Sequence, residues 1–175
     1  MNLLRCIAVA TAVSLFRFAH ADDACSGFKW DVTHEHALFL GMPTTATAAR
    51  DDATAPALES DRLYDLTLSA QDGVKFAAAP SKKMLADGAY AGLVHFHVAQ
   101  AGRYRVSLGT PFWIDLVADG KAIPSIDFNG AQGCDKPRKI VVYELPGGRD
   151  LTLQLSGMTE THVRVALTAV AAPAK

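Results

Sequence analysis

The sequence predicts an all-β fold, an antiparallel β-sandwich or jelly roll, and three observations carry that prediction. Apolar residues recur at every second position along most of the chain, the intervals between these runs are rich in Gly, Asp and Pro, and no amphipathic helix of useful length intervenes. Eight to ten short strands result, and strands of this kind bury their apolar faces by stacking as two sheets.

The elements follow in chain order. Phe28, Trp30 and Val32 alternate with Lys29 and Asp31, as in a half-buried strand, and the apolar run from His36 to Leu40 is expected to be a second strand. Pro43 to Ala57 is mostly Ala and Thr with no apolar period, and is expected to be a long exposed loop. Tyr64, Leu66 and Leu68 alternate with Asp65 and Thr67, after which Gln71-Asp72-Gly73 turns the chain toward Val74 and Phe76. Pro80 to Ala86 has room for a single helical turn. Val94, Phe96 and Val98 share a face, Ala101-Gly102 turns, and Tyr104, Val106 and Leu108 share that face on the return, which reads as a hairpin. Phe112 to Ala118 is a strongly apolar strand, and Asp119-Gly120 favours a tight type I′ turn into Lys121 to Ile123. Ile126 and Phe128 precede a loop from Asn129 to Cys134, and Ile140 to Leu145 is a strand ended by Pro146-Gly147-Gly148. Leu151, Leu153 and Leu155, then Val163, Val165 and Leu167, close the series.

Residues 1–21 read as a leader rather than as part of the fold. A basic start ending at Arg5, an apolar run from Cys6 to Phe16, and Ala19-His20-Ala21 together form a secretory signal with cleavage expected after Ala21. As a helix the apolar run rises only ~16 Å, about half of a bilayer core, so it is too short for an anchor. Residues 22–175 then form one domain, expected to be periplasmic or secreted, and no later stretch is apolar for long enough to span a membrane.

Charge narrows the partners. Loss of Arg5 and Arg17 with the leader leaves 15 basic against 18 acidic residues, a net charge of −3, and the sequence shows no basic stripe for nucleic acid. The short cluster Lys136, Arg138 and Lys139 reads as a solvated loop. Cleavage also leaves two cysteines, Cys25 and Cys134, which in an oxidising compartment most simply pair. Two metal-binding thiolates or two free thiols are the alternatives, although no CxxC spacing is present.

Three phrases carry a family resemblance: VHFHVAQAGRYRVSL (Val94 to Leu108), WIDLVADGKAI (Trp113 to Ile123) and LPGGRDLTLQLSG (Leu145 to Gly157). With these the stretch from Gly92 to Leu167, about half of the mature chain, resembles the bacterial pre-peptidase C-terminal β-sandwich domains. The resemblance implies a small secreted sandwich that accompanies enzymes or binds surfaces and is not itself catalytic. The segment from Cys25 to Ala57 has no counterpart in that pattern.

Five histidines survive cleavage, and four form two His-x-His pairs, His34 with His36 and His95 with His97. On a strand, positions two apart project from one face, so either pair has the spacing to present two imidazoles to zinc or copper, with Met42 a soft donor near the first pair. The competing reading of His95 and His97 is a solvent-facing sheet surface, because they lie opposite Val94, Phe96 and Val98. The same pair invites comparison with cupins, whose metal site adds a Glu and, after a Pro-x-Gly turn, a further His. Here Gln100 stands nearest the Glu position, and no histidine follows Pro146-Gly147 before His162. No serine sits in G-x-S-x-G, and Gly130 to Lys136 lacks the spacing of a phosphate loop. Among the aromatics Tyr90, beside Gly88 and Gly92, is the candidate for an exposed ligand contact, while Trp30, Trp113, Tyr64, Tyr104 and Tyr143 are expected mostly in the core.

These readings converge on an exported, non-catalytic binding or accessory module that contacts a protein or a glycan. A periplasmic zinc- or copper-binding protein using the His-x-His pairs is the alternative, and a degenerate cupin-like metal enzyme is the third.

Overall fold

The computed structural model describes residues 24–82 and 87–170; the expected leader at 1–21 and most of the helical turn expected at Pro80 to Ala86 lie outside the described residues. Among the described residues twelve strands, numbered in chain order, form two six-stranded sheets packed against each other. One, the β6 sheet, runs β1 (Thr44–Thr47), β3 (Tyr64–Thr67), β12 (His162–Ala169), β6 (Gly102–Leu108), β10 (Lys139–Leu145), β9 (Asp127–Gly130). The other, the β5 sheet, runs β2 (Ala57–Leu58), β5 (Tyr90–Val98), β11 (Arg149–Met158), β7 (Trp113–Ala118), β8 (Lys121–Ile123), with β4 (Ser69–Ala70) also paired to β5.

The two-residue beat produces the core. Val94, Phe96, Val98, Leu151, Leu153 and Leu155 of the β5 sheet meet Val106, Leu108, Val141, Tyr143, Val165 and Leu167 of the β6 sheet, all buried in one cluster. Each such side chain removed from water contributes about 1.5–3 kcal/mol. Asp119 and Gly120 both have positive φ, 50° and 70°, as the type I′ turn between β7 and β8 requires.

Four local expectations are corrected. The sheets are mixed rather than purely antiparallel, since β1 pairs with β3, and β2 with β5, in parallel. Phe28 to Val32 alternates in burial but joins no ladder, and the run expected as a strand from His36 to Leu40 belongs to a helix, α1 (Thr33–Leu40). The helical period is carried by Glu35 and Phe39, four residues apart and the two buried side chains of α1. Phe39 packs with Leu63 and Ala166 on the outside of the β6 sheet. The expected loop from Pro43 to Ala57 contains β1, a 3-10 turn at Asp52–Thr54 and the start of β2. Its small residues are what allow this: Ala48 is buried so close to Gly92 of β5 that a Cβ on Gly92 would lie 2.5 Å from the Ala48 Cβ.

The fourth correction concerns the expected hairpin. β5 and β6 face each other across the core instead of pairing, and residues 99–101 carry the chain from one sheet to the other. The Tyr104 hydroxyl donates to the Gln100 carbonyl at 2.8 Å, a tyrosine tied back to the backbone four residues upstream, as at sandwich corners. The β10–β11 connection makes a second corner against the first, and Gly147 is the point of contact. A Cβ there would stand 2.3 Å from the Ala101 nitrogen and 2.7 Å from the Gln100 carbonyl carbon, both backbone atoms. Gly147→Ala is therefore expected to destabilise the fold by about 3 kcal/mol, measured by urea unfolding. An unchanged midpoint would show that the corners separate freely.

Candidate functional site

The sequence-predicted histidines are each held by a separate partner. His95 and His97 do share the outer face of the β5 sheet, as alternation requires. Opposite them on β11 stand Thr152 and Asp150. His97 Nδ1 lies 2.8 Å from Asp150 Oδ1, while His95 Nε2 lies 3.0 Å from Asp52 Oδ1, which also accepts from Thr152 Oγ1 at 2.6 Å. The bond from Thr152, and after it the one from His95, hold the Asp52 carboxyl below its ordinary value.

His34 and His36 stand on α1, not on a strand, so they point to different sides of the helix. His34 Nε2 meets Asp61 Oδ1 at 2.5 Å, and His36 Nδ1 meets the Lys136 carbonyl at 2.7 Å. Met42 is 95% exposed. His162, the later histidine that a cupin-like set would need, lies on β12 in the other sheet, 3.5 Å from Asp65. Among the described residues no three His, Cys, Asp or Glu side chains converge on a position for a metal ion. Tyr90 is partly buried against the core at the start of β5 rather than presented as a platform.

Cys25 and Cys134 stand with their sulfurs 2.06 Å apart, at disulfide distance, and bind the N-terminal segment to the β9–β10 connection. That segment lies over the outer face of the β6 sheet. Arg105 of β6 contacts the Trp30 ring, 5.4 Å from its centroid, and donates to the Asp31 carbonyl at 2.8 Å.

The feature with the geometry of a ligand site is a cavity of about 420 Å³ between β7–β8 of one sheet and β9–β10 of the other. β8 and β9 are the edges of their sheets, and Pro124 and Ser125 lie on the short connection between them. Ile114, Ile123, Pro124, Val141 and Tyr143 form apolar walls. Phe128 of β9 completes them: it pairs with Val141 and so faces the core side, yet it is 67% exposed because β9 is the sheet's last strand. The volume falls in the range of small-molecule clefts, and a mostly apolar lining with a few polar groups at one end is their usual composition.

The polar end is built by Asp115, Ser81, Trp113 and Lys139. Asp115 is a single charge within an apolar strand, and its buried carboxylate accepts from the Ser81 backbone at 3.1 Å, from the Ser81 hydroxyl, from Trp113 Nε1 at 3.2 Å and from Gln154 Nε2 at 3.4 Å. Three of the four donors converge on Oδ2 and one reaches Oδ1, so Oδ2 is fully engaged within the protein while Oδ1 holds the Ser81 hydroxyl. These bonds fasten the segment before β5 onto the outer face of the β5 sheet.

Lys139 begins β10 on the same face as Val141 and Tyr143, partly buried, with Nζ donating to the Phe112 carbonyl at 2.7 Å. Burial, with the positive charge of Lys82 second, holds its ammonium below the ordinary lysine value. Lys82 and Lys139 both contact the Trp113 ring, with Nζ 5.3 Å and 5.5 Å from its centroid. Burial, helped by the Asp115 charge, pushes the Tyr143 phenol above its ordinary range, so it stays neutral.

No protein-family model matches this chain, and no curated protein matches it.

The sequence reading placed Lys139 in a solvated loop and Trp113 in the core; the structure half-buries Lys139 at the cavity and leaves Trp113 partly exposed on the outer side. Asp115 and Ser81 were not singled out as site residues. The available signal was Asp115 itself, a lone acid inside the apolar run from Phe112 to Ala118.

Proposed function

We propose that this protein is an exported, non-catalytic binding module that takes a small, partly apolar group into the cleft between β7–β8 and β9–β10. The group is either free or carried on a protein or glycan chain. The observation that carries the reading is the cavity of about 420 Å³ with Phe128 uncovered at its rim, since an aromatic side chain left 67% exposed beside an apolar hollow is a surface that a ligand would complete. Export is supported by the leader grammar of residues 1–21 and by a cysteine pair at disulfide distance, which an oxidising compartment maintains. The resemblance to pre-peptidase C-terminal sandwiches agrees with a module that binds rather than transforms.

Binding is tested with the neutral, polarity-sensitive naphthalene dye prodan. It is expected to bind the mature protein at one site with a blue-shifted emission. Ile123→Trp, which fills the cleft from β8, is expected to weaken that binding by about tenfold or more while circular dichroism shows the same β-rich spectrum. Equal binding by the filled variant would place the dye elsewhere and overturn this reading.

A further inference from the structure

The hydrogen-bonding inventory of the cleft is one-sided, and that asymmetry identifies a ligand chemistry. Around Lys139 the acceptors are largely engaged: Asp115 Oδ2 receives three donors, Asp115 Oδ1 one, and the Phe112 carbonyl receives Lys139 itself. The Trp113 indole nitrogen, a donor, is also engaged, reaching both Ser81 Oγ and Asp115 Oδ2 at 3.2 Å. What remains for a ligand is donor capacity. An ammonium carries three N–H donors, and Lys139 uses one of them on Phe112. Lys82 makes its one described contact with the face of Trp113, close enough to Lys139 for the two charges to repel.

We propose, on the basis of the cleft reading above, that the ligand is a small amphipathic carboxylate: an apolar chain or ring whose carboxylate is held by Lys139, with the Lys82 charge nearby at the Trp113 ring, and whose body lies against Ile123, Val141, Tyr143 and Phe128. A carboxylate offers only acceptors, matching the unspent N–H donors of the Lys139 ammonium, and charge-assisted bonds of this kind are the stronger ones. It would also relieve two costs already present in the free protein. One is the desolvation of Lys139 and the other is its repulsion by Lys82, which together hold that ammonium below its ordinary value. The apolar body accounts for Phe128, whose ring would lose its exposure when the cleft is filled. A neutral alcohol would accept one bond and gain no charge pairing. An amine would add a third positive charge beside Lys139 and Lys82, where Asp115 is the one carboxylate of the lining.

The test compares three probes with one tail and different heads, octanoate, octanol and octylammonium, as competitors of prodan on the mature protein. Octanoate is expected to displace the dye at a concentration about tenfold below octanol, with octylammonium the weakest, as one charge-assisted contact implies. Lys139→Met keeps the length and apolar stem of the side chain, and with the dye's affinity measured afresh on the variant it is expected to bring octanoate within about threefold of octanol. Lys82→Met, at an exposed position that carries no risk to the core, is expected to reduce the preference by a smaller factor in the same direction. If prodan binds in the cleft but octanol competes as well as octanoate, the carboxylate proposal fails and the cleft reading stands. If neither lysine change alters the preference for octanoate, the charge is read elsewhere and the proposal likewise fails. If prodan binding is indifferent to Ile123→Trp, the cleft reading fails and takes this proposal with it.

Discussion

Breaking the Cys25–Cys134 bond, by reduction or by Cys25→Ser with Cys134→Ser, is expected to cost about 4–5 kcal/mol of folding stability. The bond closes a loop of 109 residues, which includes most of both sheets, so in the unfolded chain it forbids a very large set of conformations. Its loss restores those conformations to the unfolded state without removing a single core contact. It also loosens the segment from Ala24 to Val32, whose other ties are mostly polar and on the surface: Lys29 to Asp127 at 2.5 Å and to Asn129 at 3.2 Å, the Asp31 carbonyl to Arg105 at 2.8 Å, and Trp30 in contact with Lys29 and Arg105. Urea unfolding of the oxidised protein and of the double serine variant, followed by circular dichroism, measures the difference. The denaturant slope is expected to rise in the variant, because the unlinked chain exposes more surface. Coincident curves would show that the bond closes after the fold is already complete and constrains nothing.

Glu35→Ala is expected to be the most damaging single truncation of a polar side chain, at about 3–5 kcal/mol. Glu35 lies on the buried face of α1, with its side chain 4% exposed and that of Arg105 13% exposed. Arg105 Nη1 donates to both carboxylate oxygens, at 3.1 and 3.2 Å, and Thr168 Oγ1 donates to Oε1 at 2.9 Å. Without the carboxylate, a guanidinium whose Nε already has no hydrogen-bond partner among the described residues would be left charged beneath the helix. That uncompensated charge, rather than the lost attraction, supplies most of the penalty. Glu35→Gln keeps the shape and one acceptor and is expected to lose less. Replacing the whole set, Glu35→Leu with Arg105→Met and Thr168→Val, is expected to recover much of the stability. Thermal unfolding of the three variants decides this. A triple variant as unstable as Glu35→Ala would mean that the helix is held by something other than this cluster.

Where a residue's position follows from its immediate neighbours, the sequence was legible. Leu151, Leu153 and Leu155 had to share a buried face, and Asp119-Gly120 had to turn tightly, whatever surrounded them. The cysteine pairing was legible because the expected leader leaves only two candidates. The hairpin reading of Val94 to Leu108 failed because a hairpin and an inter-sheet corner impose the same alternation; what separates them is the pairing partner, which lies on β10, β11 and β12, far along the chain. α1 was misread because its run from His36 to Leu40 has no polar face to reveal a period, and because Glu35 is buried through Arg105, a residue 70 positions away. The cleft was illegible for a related reason. It exists only where the edges of two sheets end together, and Lys139 is half-buried there by Trp113 and Phe112 rather than by its own neighbours.

The corners between the sheets also bear on how the chain assembles. β6 lies between β10 and β12, and the long neighbour of β5 is β11, so each of these inner strands waits for a partner made much later. A chain ending before Lys139 holds both strands but lacks the principal neighbours of either, leaving unsatisfied backbone edges and oily faces in water. Distant pairings of this kind make for slow folding, in which β10, β11 and β12 decide when the two sheets can close. During that wait the unpaired edges and apolar faces are open to association with other chains, which is the hazard this topology carries into synthesis.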